Sequence, residues 1–402
     1  MTKTAFGLAL GIDGVGWHPA AERTDAASRP ADPKFWSRII GQAENAGFDL
    51  ATFEDQLELP AGSGHSARFD SFSLASWLAP QTSRIGLVPA ATTATQEPFH
   101  IATATQTLDF TSSGRAGLRL RIGLYPEELR AAGRKPLFKS TEEFLQLEPA
   151  EQQRNYYEGF EEGWEFAQIV RLLWDSWQDD AEIRDVATGR FLDAERIHNP
   201  DFQGDYFSVF GASITPRSPQ GQPPVFALAH QEVPYEFASA AADVAFITPF
   251  DEADLIRRRE GAEAAAKRVG REGTPLQIWP DIAVSVGEEG QNRLDELNEV
   301  LGEEFVTDTG IFAGTAGELV ELIVSWHEQG LHGARLRPLS TSADLAVLAD
   351  EVLPKLHSAG IAPADATAAT LRARLGLPIA ENRFVGTAPF TADFHAAKET
   401  LA

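Results

Sequence analysis

The 402-residue chain has no cysteine, which excludes a disulfide framework, a thiolate nucleophile and any cysteine-held zinc or iron–sulfur centre, and fits a reducing compartment. Positive charge is scarce too. With 34 Lys and Arg against 59 Asp and Glu the formal net charge is −25, a field that repels phosphate backbones and anionic headgroups and argues against nucleic-acid or membrane-surface partners. No apolar run approaches the ~18 residues of a membrane-spanning helix. The apolar run from Phe6 to Ile12 is cut by Asp13 and lacks the small-residue cleavage pattern of a secretory signal. A cytoplasmic protein is therefore expected, with that run as a buried first strand. Nucleotide and hydrolase signatures are missing as well: Gly11 to Gly16 reads G-x-x-G-x-G, not the dinucleotide fingerprint, and there is no Walker lysine loop and no G-x-S-x-G elbow.

What the chain does have is alternation. Apolar runs of strand length recur at Phe6 to Ile12, Leu50 to Phe53, Ile85 to Ala91, Ala116 to Ile122, Val225 to Ala229, Val244 to Thr248, Ile278 to Val286 and Ala334 to Leu336. Between them lie helical stripes. Phe166, Ile169, Val170, Leu173, Trp174 and Trp177 recur at the spacing of one helix face. A second helix is predicted from Asp32 as N-cap and Pro33 at the first position to Gly47 as stop. Leu319, Val320, Ile323 and Val324, and then Leu345, Leu348, Val352 and Leu356, mark helices on either side of the last strand. Strands that are apolar throughout and separated by helices predict a parallel sheet, and eight repeats predict a closed (β/α)8 TIM barrel, with an open doubly wound sheet as the alternative. Residues 1–402 are read as a single domain. Two excursions interrupt the alternation. Arg121 to Gln153, after strand four, is a candidate lid, and Phe191 to Pro224, before strand five, predicts a small hairpin followed by an extended approach. An Ala-rich patch near Ala362 to Ala369 is the only low-complexity stretch.

Other chemistries find weak support. His327 and His332 are five apart with Gly330 between them, off the common i, i+4 face of a zinc helix. Glu158, Glu161, Glu162 and Glu165 read as a solvated helix face. A retaining-glycosidase barrel needs paired carboxylates at a separation that a sequence does not measure.

Several motifs together resemble one family. Ser83-Arg84-Ile85-Gly86-Leu87-Val88, then Glu97-Pro98-Phe99-His100-Ile101-Ala102, Leu108-Asp109 and Ser113-Gly114-Arg115-Ala116 follow the succession found in luciferase-like flavin monooxygenases. Leu173 to Trp177 and Thr215 to Pro223 are similar to the branch containing nitrilotriacetate, dibenzothiophene-sulfone and pristinamycin monooxygenases. The resemblance covers about residues 5–376. It implies a barrel that uses reduced FMN delivered by a separate flavin reductase, or in cousins the deazaflavin coenzyme F420. It also implies a small organic substrate and a homodimer.

The resemblance places a flavin ring over the C-terminal mouth of the barrel, where Glu54, Asp55, Ala91, Thr92 and Leu120 to Ile122 end their strands. Asp55 is either a cofactor contact or a turn cap. Where the branch carries Gln-Ala-Gly-x-Ser after strand five for the phosphate, this chain reads Ala227-Leu228-Ala229-His230-Gln231-Glu232, so Ala229, His230 and Gln231 become the candidate contacts, His230 and Gln231 as donors. Where the branch carries Trp-Asn-x-Val-Thr-Ser on strand four, this chain has Leu118-Arg119-Leu120-Arg121-Ile122-Gly123. One arginine is expected inside and one outside, with Arg121 as the site residue. Tyr157, from the pair Tyr156-Tyr157, stands near the family's cofactor tyrosine, and helix packing is its other reading. His18, in Val15-Gly16-Trp17-His18-Pro19, is the candidate acid or base. The remaining alternatives are a deazaflavin-dependent hydride-transfer enzyme and a barrel that binds a flavin or metabolite without catalysis.

Overall fold

The computed structural model describes residues 6–25, 28–59, 64–361, 369–385 and 392–396; most of the Ala-rich patch near Ala362 lies outside them. All eight expected strands form: β1 (Gly7–Ile12), β2 (Leu50–Phe53), β3 (Gly86–Thr92), β4 (Leu118–Arg121), β5 (Val225–Ala229), β6 (Val244–Ile247), β7 (Gln277–Val286) and β8 (Gly333–Pro338). Each is parallel to its neighbour, and β8 returns to β1 with Gly7 opposite Gly333. The sheet is therefore a closed barrel, and the open-sheet alternative falls. β7 is long. Its first half pairs with β6, while Ala283–Val286 pairs with a ninth parallel strand, Ile311–Gly314, outside the barrel; this half-buried strand was not expected.

The helices start and stop where the side chains direct. Asp32 accepts from the Lys34 amide, Pro33 opens the helix Pro33–Ala46, and Gly47 closes it with a left-handed φ of 99°. The stripe around Trp174 belongs to a helix of 27 residues, Pro149–Asp175. Trp177 is not on it: the helix stops two residues earlier, and the Trp177 indole donates to the Ser213 carbonyl at 2.8 Å. The first excursion holds two short helices, Pro126–Ala131 and Thr141–Gln146, before the long helix begins. The second contains the expected hairpin, Phe202–Gln203 against Ser208–Val209; an unexpected one, Glu182–Asp185 against Arg190–Leu192, leads into it.

The lower lumen is an apolar layer of Ala9, Leu50, Val88, Phe226, Val244, Phe246 and Trp279, packed against Leu371, Leu375 and Leu377. Trp279 fits because Gly7 and Gly333 lack a Cβ, which would collide with its ring. Large beside small is how a barrel of this size fills its axis.

Candidate functional site at the barrel mouth

Above the aromatic layer the lumen turns ionic. Residues two apart on a strand share a face, so Arg335 and Arg337 of β8 both enter the lumen, and Arg119 and Arg121 of β4 both line its mouth. The expectation of one arginine inside and one outside was wrong for this reason. Glu54 accepts from Arg119 and, at 2.6 Å, from Arg335. Arg335 also donates to Asp281 at 2.8 Å and to the Thr52 hydroxyl at 2.9 Å. Asp281 accepts from Arg337 Nε at 2.7 Å, and Arg337 reaches Asp308 at 2.6 Å. The result is an alternating chain, Arg119, Glu54, Arg335, Asp281, Arg337, Asp308, with balanced charge.

Local sequence makes room for it. A Cβ at Gly11 would stand 2.9 Å from Arg335 Nε. The Trp17 ring lies 4.6 Å from the Arg337 guanidinium, and Phe246 lies 5.2 Å from that of Arg335, contacts that offset part of the cost of taking guanidinium groups out of water. Burial alone would raise the Glu54 pKa, but Arg119, Arg335 and Arg337 outweigh it and hold the carboxyl at about 2. Burial draws Arg119 down to about 10 against the pull of Glu54. For Arg337, Asp281 and Asp308 together overcome burial and move it up. Glu54, Arg119 and Arg337 are thus ionised near neutral pH. Arg119 is the least satisfied of them, since its buried Nε has no partner.

This chain floors a cavity of about 460 Å³ at the C-terminal ends of the strands. Its walls are apolar: Leu120, Ile122, Tyr156, Phe160, Leu228 and Phe237, with Phe138 and Phe144 reaching in from the first excursion. Gly163 on the long helix lets that wall close in, because a Cβ there would meet Ile122 at 2.6 Å. Arg121 ties the excursion down. Its Nη1 donates to both oxygens of Glu128 at 2.7 Å and to Thr92 Oγ1 at 3.1 Å, and Glu128, fully buried, also accepts from the Leu57 amide at 3.2 Å.

The candidate residues divide. Arg121, His230 and Gln231 line the cavity, and Thr92 supports it through Arg121. Gln231 donates to the Tyr156 hydroxyl at 2.9 Å, so Tyr156, not Tyr157, faces the site. Tyr157 packs away from it, stacked on Phe394 at 4.9 Å with its hydroxyl on the Phe394 carbonyl. Asp55 accepts from the Ser71 amide at 3.0 Å, the turn-cap reading. Ala91 and Ala229 are fully buried in their strands. His18 is buried away from the cavity: Nε2 meets Asn298 Oδ1 at 3.1 Å, Nδ1 accepts from the Ala20 amide, and burial lowers its pKa. Asp281, Asp308, Arg335 and Arg337 were missed. The available signal was Ala334-Arg335-Leu336-Arg337 on β8, the same period-two arginine pattern as Leu118-Arg119-Leu120-Arg121.

The chain is similar in sequence to named monooxygenases over about three quarters of its length. It is 31% identical over 307 residues to N-acetyl-S-(2-succino)cysteine monooxygenase of Bacillus subtilis, covering 74% of this chain and 66% of that protein. Nitrilotriacetate monooxygenase component A of Aminobacter aminovorans is 26% identical over 321 residues, 75% of this chain and 66% of its own length. The match therefore spans just under two thirds of these relatives. The fold of long-chain alkane monooxygenase (LadA) superposes with a TM-score of 0.77 at 20% identity, covering 94% of this chain and 96% of that one. The family model of luciferase-like monooxygenases matches residues 14–347, from the loop after β1 through the helix after β8, and the chain belongs to that family.

Proposed function

We propose that the chain is a flavin-dependent oxidoreductase that takes a reduced flavin, FMN by family resemblance, from a separate reductase and uses O2 to monooxygenate a small organic substrate. The observation that carries this reading is the cavity of about 460 Å³ at the barrel mouth, apolar in its walls and ionic in its floor, within the ~300–1,000 Å³ usual for ligand sites. The ring of a flavin fits these residues. Arg119, with an unpartnered Nε, suits the carbonyl edge of such a ring, and Leu120, Ile122, Phe160 and Phe237 suit its faces. The phosphate end fits poorly where the resemblance puts it, because the glycine and serine of the branch are absent there and Glu232 adds a negative charge.

A bound reduced flavin would supply the electrons for oxygen chemistry. The chain's own part is to position and to keep dry. Phe138 and Phe144 cover the mouth, and the bond of Arg121 to Glu128 holds that cover in place, so the site excludes water without a dedicated proton donor. His18 has no part in this reading. A homodimer is the accompanying assembly, checked by light scattering.

Anaerobic titration with FMN, reduced FMN and reduced coenzyme F420, followed by quenching of tryptophan and flavin fluorescence, tests the proposal. Binding of reduced flavin followed by substrate-dependent oxygen uptake is expected. Anaerobic turnover with reduced F420 would replace it with hydride transfer, and failure of every ring to bind would leave a barrel without flavin chemistry.

A further inference from the structure

Resting on the reading that this mouth receives a flavin-type ring, we infer that the site selects the unphosphorylated ring, riboflavin in preference to its 5′-phosphate. The charge of the site is already closed. Arg119 is paired with Glu54, Arg121 with Glu128, Arg335 with Glu54 and Asp281, and Arg337 with Asp281 and Asp308. A phosphate dianion entering this cavity would find no uncommitted guanidinium among those lining it, and drawing one away would strand a buried carboxylate, a costly exchange.

The junction after β5 points the same way. The helix Glu232–Ala241 begins with Gln231 as N-cap, whose side chain makes no capping bond and is used on Tyr156. In its first turn Pro234 has no N–H to offer, and Glu232, paired with Arg268 at 3.3 Å but 57% exposed, already places a carboxylate at the positive helix end, where an anion would otherwise be drawn. His230, at the rim, gives a single N–H in its neutral form. The excursion over the mouth and the start of the long helix, residues 126–162, carry nine carboxylates against five cations. A neutral ring meets none of these penalties and retains the apolar walls and the Arg119 edge.

The test is parallel fluorescence titration of the intact protein with riboflavin, FMN and lumichrome, the ring without its side chain. Riboflavin is expected to bind more tightly than FMN by about threefold or more at low salt, with the gap closing toward about 0.5 M salt as the repulsion is screened. Lumichrome should retain most of the riboflavin affinity. Glu232→Gln should improve FMN binding by about twofold, the weight of one exposed charge, and leave riboflavin unchanged; the Glu232 side chain is 57% exposed, so the variant keeps its fold. FMN binding as tightly as riboflavin, or more tightly, would overturn the inference while leaving the flavin reading intact. Absence of binding by all three would overturn both.

Discussion

Asp281 is the member of the lumen chain whose removal is best defined. It is fully buried and accepts from Arg335 at 2.8 Å and from Arg337 at 2.7 Å, with a further contact to Arg337. Asp281→Asn keeps the shape and deletes the charge, leaving Arg119, Arg335 and Arg337 to face only Glu54 and Asp308. Breaking a buried pair from one side costs about 3–5 kcal/mol. At an unfolding entropy of about 2.1 cal/mol/K per residue, a chain of 402 residues should lose about 4–6 °C of Tm. Scanning calorimetry reads this directly. The companion variant Asp281→Asn with Arg337→Met restores the balance, since Asp308, its side chain 45% exposed, is then left to water, and it should regain about half of the loss. A single variant within about 1 °C of the parent, or a double variant as low as the sum of its parts, would refute the account of the lumen as a charge-balanced unit.

Three further outcomes are expected. Burial lifts the Asp49 pKa to about 7, against the bond from the Leu8 amide. The folded state therefore holds a proton that the unfolded chain releases near about 3.9, and stability falls as pH rises between those values and stays lower above them. Asp49→Asn should remove that fall, seen as a Tm that gains on the parent at pH 8 relative to pH 4. Gly7→Ala should destabilise by about 1–3 kcal/mol through overpacking on Trp279, and adding Trp279→Phe should recover part of it in a denaturant melt. Glu128→Ala should release Arg121 and the Leu57 amide together, read as faster hydrogen exchange at Leu57 and in Pro126–Ala131 with little change in the barrel strands.

The barrel was legible because its signal is redundant: eight strands buried on both faces must be apolar throughout, and all eight runs became strands. The helix Pro33–Ala46 was legible to the residue because Asp32, Pro33 and Gly47 each act locally. The site was legible only in part because its geometry is not local. Arg121, His230 and Gln231 were found by standing at strand ends, but the choice between Tyr156 and Tyr157 depends on helix phase against a wall formed by β4 and β5. The ionic chain draws on β2, β4, β7, β8 and the segment before Ile311–Gly314, and a single charge within one apolar strand does not reveal its partner in another. The two arginine pairs were the clue, and the rule that residues two apart share a face was enough to place both members inside.

That distribution also decides which side of the mouth is rigid. The ion pairs stitch β2, β4, β7 and β8 together in a medium where each unpaired charge would be costly, so that half of the rim is held before any ligand arrives. β5 and β6 contribute no carboxylate or guanidinium to the chain. Their side of the cavity is Leu228, His230 and Phe237, faced by Phe138 and Phe144 from an excursion anchored through Arg121 and Glu128. Apolar contacts of this kind are non-directional and re-pack more readily than a closed network of charge-assisted bonds. Differences in ligand shape are therefore absorbed on the β5 side, and substitutions at Phe138, Phe144 or Phe237 should change which ring is accepted before substitutions in the ionic floor do.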